Sequence, residues 1–184
     1  LPERTLREEG VDYVCRGEAF LPTKELLKSL KEAPGRPGLI QGLWRLEDGR
    51  VIDGGWASTV KDLDELPFIA WDLLPMDKYR AHNWHCFGHI HERSPYGIIY
   101  TSLGCPFHCR YCNIHALYDG KPGVRFRSPE KVAAEVDLLV KQYGVRNFKI
   151  MDELFVIRGQ RLEELCDLLA ERGYDLNIWA YARV

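Results

Sequence analysis

Gly104-Cys105-Pro106-Phe107-His108-Cys109-Arg110-Tyr111-Cys112 places three cysteines within eight residues, in a C-x3-C-x2-C spacing. The run before it, Gly97–Leu103, is apolar and reads as a strand, so the cysteines fall on the loop that leaves a strand end. Thiolates this close in sequence are poor disulfide partners for one another, but they are well placed to converge on one metal centre. Their number narrows the chemistry. A structural zinc site is normally closed by four ligands, and iron–sulfur clusters are usually held by four cysteines. Three thiolates on a four-iron cluster leave one iron open to a small molecule. The competing reading is a zinc loop with His108 or His115 as the fourth ligand.

Outward from this loop, residues 96–184 alternate strand and helix. After the first strand, Ser128-Pro129-Glu130 opens a helix as N-cap, first-turn proline and favourable first-turn acid. Val132, Val136, Leu139, Val140 and Tyr143 form its apolar face, and Gly144 ends it. A second strand spans Asn147–Met151. The next helix carries Leu162, Leu165, Leu168 and Leu169 and stops at Arg172-Gly173. A third strand covers Leu176–Ala182. Strands alternating with helices of this length predict an α/β fold with a parallel sheet and right-handed crossovers.

Cys105-x3-Cys109-x-Tyr111-Cys112 on a loop after a first strand resembles the signature of the radical S-adenosylmethionine (SAM) enzymes, including the aromatic residue before the last cysteine. The resemblance implies that residues 96–184 form the first half of that family's (β/α) barrel, whose remaining units are not in this sequence. It implies a [4Fe–4S] cluster on Cys105, Cys109 and Cys112, with the open iron chelating the amino and carboxylate groups of SAM. An electron from the reduced cluster would then cleave the sulfonium to a 5′-deoxyadenosyl radical. On the same resemblance the Tyr111 backbone holds the adenine, where the bland alternative is a core aromatic. Asp152 and Glu153, directly after the second strand, would contact the amino end or ribose of SAM through charge-assisted bonds. They could instead form only a helix-capping turn. Arg183, at the end of the third strand, would meet the SAM carboxylate or a substrate acid, or be an ordinary exposed residue.

The front of the chain resembles, more loosely, the last strand and helix of the cobalamin-binding domain that precedes many such barrels. Val11-Asp12-Tyr13-Val14-Cys15-Arg16-Gly17-Glu18 carries that likeness. Residues 1–38 are therefore expected to be a remnant of that α/β domain: a helix over Pro2–Gly10, a strand over Val11–Cys15, then a second helix. Leu26, Leu27 and Leu30 give this second helix an apolar stripe, and Pro34-Gly35-Arg36-Pro37-Gly38 stops it. Residues 39–95 follow as hairpin and connector. Leu39–Leu46 and Arg50–Asp53 flank Glu47-Asp48-Gly49, and Asp-Gly between apolar runs is a hairpin signal. From residue 54 periodicity fades, and the connector is expected to lie along the surface. Its His82, His85, Cys86, His89 and His91 stand at loose spacing, which disfavours a second metal site. Asp12, Glu18 and Asp72 read as turn or surface residues, and His108 and His115 as solvated loop histidines.

Composition bounds the function classes. Apolar residues make up 46% of the 184 and charged residues 28%, ordinary for a globular protein. A net charge of −2 gives no global electrostatic case for nucleic acid or an anionic membrane. There is no apolar run of about 18 residues, so no membrane span is expected. Cys15 in a strand and Cys166 on the apolar side of a helix read as buried thiols, and together the six cysteines favour a reducing cytoplasm. The chain opens at Leu1 rather than Met, so a piece of a longer protein is expected.

The resemblance implies a radical SAM enzyme, with methyl transfer favoured if cobalamin is also used, held mainly by residues outside this chain. Its implied partners are a small-molecule, lipid-like or peptide substrate and an external electron donor such as flavodoxin or ferredoxin. The alternatives are a cobalamin-independent cyclase, rearrangement or adenosyl-transfer enzyme, or a non-catalytic zinc or iron–sulfur module. Methylthiotransferase chemistry would need a second set of three cysteines, and none lies upstream in this chain.

Overall fold

The structure is a computed structural model that describes residues 1–32, 35, 37–121 and 123–183. Pro34 and Arg36 of the expected helix stop lie outside the described residues. The chain divides into two compact units, one built from residues 1–61 and 106–123, the other from 62–105 and 124–184.

The first unit begins with helix α1 (Pro2–Glu8), which has proline in its first turn, buries Leu6, and carries Arg4–Glu8 and Arg7–Glu3 pairs one turn apart. Strand β1 (Tyr13–Cys15) and helix α2 (Phe20–Glu32) follow, then β2 (Leu43–Glu47) and β3 (Arg50–Ile52). The three strands form an antiparallel sheet in the order β1-β2-β3, with Leu46 opposite Val51. Asp48 and Gly49 both take positive φ (48° and 77°), which is the two-residue turn that matches strand twist. Gly42 is required by space as well as by its φ of +85°, because a Cβ there would sit 2.5 Å from the Ala57 methyl carbon.

Two features of this unit go beyond what residue pattern conveys. The stripe of α2 is not buried: Leu27 is 62% exposed and Leu30 40%, and only Pro22 is fully inside. Leucines at helical spacing define an apolar face without supplying something to cover it. Glu18 is not a surface residue either. It is buried, and its Oε1 accepts the Val60 N–H at 2.8 Å, satisfying a buried backbone donor.

The second unit contains the parallel sheet. Strand β4 (Tyr96–Ile99) leads to β5 (Ser102–Cys105), β6 (Gly123–Phe126), helix α3 (Pro129–Tyr143), β7 (Asn147–Ile150), helix α4 (Gly159–Glu171) and β8 (Asn177–Trp179). The order β4-β7-β8 is parallel throughout, with Ile98, Lys149 and Trp179 in one register row. The expected α/β class with parallel strands is therefore what the structure has. Helix α3 starts where its sequence says: Ser128 Oγ accepts the Lys131 N–H at 3.1 Å, and Gly144 closes the far end at φ +66°. Val132, Ala133, Val136 and Leu139 of α3 pack with Ile99, Phe148, Ile150 and Leu165 to form the core.

The expected first strand, Gly97–Leu103, is broken. Its first part, β4, belongs to the parallel sheet, while β5 pairs with β6, a strand the sequence did not suggest. The break falls at Tyr100-Thr101, where the backbone of Thr101 is engaged by side chains and by Arg127 rather than by a neighbouring strand. The connector also departs from expectation. Between residues 62 and 95 it makes five short 3-10 turns and buries Leu63, Trp71, Met76, Ala81 and Cys86, of which Trp71 and Met76 join the core. Cys166 is exposed, not buried, since Leu165 beside it takes the inward position on α4. Among the described residues, no helix is long and apolar enough to cross a membrane.

Candidate cofactor site

Cys105 is the last residue of β5, and its approach is set by the end of β7. Asp152, 1% exposed, accepts three hydrogen bonds: from the Thr101 N–H at 2.7 Å, the Thr101 hydroxyl at 2.5 Å and the Ser102 hydroxyl at 2.7 Å. Glu153 Oε2 accepts the Gly104 N–H at 3.1 Å, one residue before Cys105. Gly104 itself sits at φ +92°, a conformation side chains disfavour. The Thr101 carbonyl receives the Arg127 N–H at 2.9 Å and Arg161 Nη2 at 2.9 Å. Burial pushes the Arg161 guanidinium down from its ordinary value, and the Asp152 charge works against that shift. Two adjacent acids thus hold N–H groups three residues apart on the segment that ends in Cys105.

The other two cysteines lie in the first unit. Cys109 and Cys112 share one turn, closed by the Cys112 N–H donating to the Cys109 carbonyl at 3.0 Å. Tyr111 between them is 94% exposed, which removes the core-aromatic reading. His115, expected to be solvated, is buried instead: its Nε2 lies 2.6 Å from the Phe107 carbonyl oxygen and its ring 4.3 Å from that of His108. A carbonyl only accepts, so Nε2 donates, and Nδ1 is buried with no hydrogen-bond partner among the described residues. This histidine ties the start of the loop to its 3-10 turn at Ile114–Leu117.

Arg183 is exposed just past β8. The Phe155 N–H donates to the Tyr181 carbonyl at 3.0 Å, so the segment after β7 and the segment after β8 meet at the carboxyl edge of the sheet. Asp152, Glu153 and Arg183 therefore share that edge. In the connector, His85 Nδ1 is engaged by the Tyr96 hydroxyl at 2.7 Å, and Cys86 is buried beside Ala81 and Tyr96. Sequence reasoning missed Thr101, Ser102 and Arg161. The one signal available was a polar Thr-Ser pair interrupting an otherwise apolar strand.

The donor set fits an iron–sulfur cluster in its chemistry. Cys105, Cys109 and Cys112 are free thiols, two half-buried and one exposed, on a loop that reaches the carboxyl end of a strand. Among the described residues, no three His, Cys, Asp or Glu side chains are gathered into a metal-holding arrangement. Thiolate ligands commonly come together only with the metal bound.

No family model matches the chain. An uncharacterised methyltransferase of Pyrococcus horikoshii is 34% identical over all 184 residues, which cover 37% of that protein. The anaerobic magnesium-protoporphyrin IX monomethyl ester cyclase of Cereibacter sphaeroides is 27% identical over 92% of the chain and 26% of its own length. The radical S-adenosylmethionine methyltransferase TsrM of Kitasatospora setae, solved with cobalamin and a [4Fe–4S] cluster bound, superposes with a TM-score of 0.59. That match has 20% identity and covers 98% of this chain and 35% of TsrM. The superposition shows a fold shared with that radical SAM methyltransferase. This chain spans little more than a third, or less, of the length of each of these proteins.

Proposed function

We propose that this chain carries the cofactor loop of a radical SAM enzyme that holds a [4Fe–4S] cluster on Cys105, Cys109 and Cys112 and transfers methyl groups with the help of cobalamin. The observation that carries the reading is the spacing of three free thiols on a loop whose first cysteine is braced by the carboxyl edge of a parallel sheet. When bound, the cluster supplies the electron that cleaves the sulfonium of SAM. Tyr111, Glu153 and Arg183 are this chain's groups for SAM: an aromatic residue between two ligands, an acid for the ammonium and a guanidinium for the carboxylate. The cobalamin contacts lie mainly outside these residues. The electron comes from an external donor such as flavodoxin or ferredoxin, the substrate is a small molecule, a lipid-like molecule or a peptide, and the free thiols suit a reducing cytoplasm.

The second reading is ring closure without methyl transfer, favoured by the likeness of 92% of the chain to a cyclase. Product analysis of the anaerobically reconstituted protein separates the two. SAM that donates its methyl group leaves S-adenosylhomocysteine, whereas SAM cleaved reductively leaves methionine and 5′-deoxyadenosine. Both nucleoside products are expected. 5′-Deoxyadenosine alone would favour the cyclase reading. Neither product, with zinc bound in place of iron, would leave a metal module without this chemistry.

A further inference from the structure

We infer that Asp152 is a positioning residue that sets the presentation of Cys105, not a group that touches SAM. The inference rests on the cluster reading above and adds to it a role for Asp152, Thr101 and Ser102. A carboxylate that contacts a ligand needs an oxygen open to it, and Asp152 is 1% exposed. Oδ1 takes the Thr101 N–H, and Oδ2 takes the two hydroxyls of Thr101 and Ser102. Three donors on one buried carboxylate satisfy it within the protein.

The consequence is local and directional. Met151 N–H donates to the Ile99 carbonyl at 2.9 Å, so the ladder between β4 and β7 continues up to the residue before Asp152. There the chain leaves the sheet. Asp152 captures the next free N–H, at Thr101, while Arg161 and the Arg127 amide hold the Thr101 carbonyl from the other side. With both backbone groups of Thr101 fixed, the path of Ser102-Leu103-Gly104-Cys105 is fixed from its first residue. Glu153 adds a second hold at Gly104. Losing a group that orients a metal ligand from behind typically costs about 10–100-fold in metal affinity.

The test compares Asp152→Asn, Thr101→Val and Ser102→Ala in the full chain with Asp137→Asn, whose carboxylate pairs with Arg172 away from this segment. Readouts are thermal midpoint of the apoprotein, iron uptake on anaerobic reconstitution, the electron paramagnetic resonance spectrum of the reduced cluster without SAM, and SAM affinity. Asp152→Asn and Thr101→Val should both lower iron affinity, by about tenfold or more, and alter the SAM-free spectrum in the same way. The double variant should be no worse than either alone, because both remove one clasp. Asp137→Asn should lower the midpoint without altering the spectrum. An Asp152→Asn protein with normal iron and a normal SAM-free spectrum but weakened SAM binding, beside an unaffected Thr101→Val, would make Asp152 a SAM ligand and overturn the inference. Variants indistinguishable from wild type in iron and spectrum would overturn it too. Wild-type protein that takes up no iron would instead sink the cluster reading, and this inference with it.

Discussion

The indole Nε1 of Trp71 donates to Glu135 Oε1 at 3.0 Å, in the interior of the second unit. Glu135 is fully buried, takes the Ile69 N–H at 3.1 Å on the same oxygen, and pairs with Arg127 through its other oxygen at 2.5 Å. One carboxylate on α3 thus binds the 62–95 segment to the helix and holds the arginine whose backbone N–H reaches Thr101.

Removing that carboxylate leaves an uncompensated guanidinium and two unpaired N–H groups. Glu135→Ala is therefore expected to cost about 3–5 kcal/mol, measured by urea denaturation of the apoprotein. A cost below about 1 kcal/mol, the size of an exposed pair, would contradict the buried network.

Much of this architecture is legible in the sequence, and the failures have physical causes. Ser128-Pro129 and Gly144 specify both ends of α3 through local bonds, so its limits could be read directly. The break between β4 and β5 could not. Thr101 and Ser102 have no local reason to leave a strand, and the group that draws them out, Asp152, lies 51 residues away from Thr101 in sequence. The connector lacked periodicity because single anchors such as Leu63, Trp71 and Met76 enter the core from separate short turns. At the site, the thiols and acids were visible as residue types, while the burial of Asp152 and His115 depends on tertiary partners.

The uncovered face of α2 gives a contrast in stability. Leu27→Gln and Leu30→Gln should each change it by no more than about 0.5 kcal/mol, because both side chains already face solvent. Leu165→Ala, 1% exposed in the core, should cost about 2–5 kcal/mol. Comparable losses at Leu27 and Leu165, compared by urea midpoints, would mean that α2 is buried.

His85 predicts a pH effect. Burial first, then the charges of Lys149 and His82, push its imidazole below the ordinary value of 6.5. Folding thus favours the neutral ring. The contribution is intact above the unfolded pKa and is lost as the pH falls through the lower folded value. Wild-type stability should decline between pH 7 and pH 5, and His85→Phe should decline less, by urea midpoints at the two pH values. Asp137 adds a separate loss at lower pH. Burial raises its carboxyl, but hydrogen bonds from Arg172 and Tyr174 and the charges of Arg172 and Lys141 outweigh this and hold it below its ordinary 3.8. Its contribution is present above that value and is lost as pH falls through the folded one. Identical profiles for wild type and His85→Phe between pH 7 and pH 5 would remove His85 from the account.

His115 should act as a strap within the cysteine loop. His115→Phe keeps a ring but loses the bond to the Phe107 carbonyl. Limited proteolysis of the apoprotein is expected to cut within residues 106–121 faster than in wild type, with the global unfolding midpoint little changed. Equal cleavage rates would leave the strap without consequence.

The central claim is a SAM-binding cluster on Cys105, Cys109 and Cys112, and electron paramagnetic resonance of the anaerobically reconstituted, reduced protein tests it most directly. The account predicts a reduced four-iron signal whose g values shift when SAM is added. That signal should be lost in Cys105→Ala, Cys109→Ala and Cys112→Ala and kept in Cys15→Ala and Cys166→Ala. Stoichiometric zinc with no iron signal, or an iron signal that SAM leaves unchanged, would contradict it.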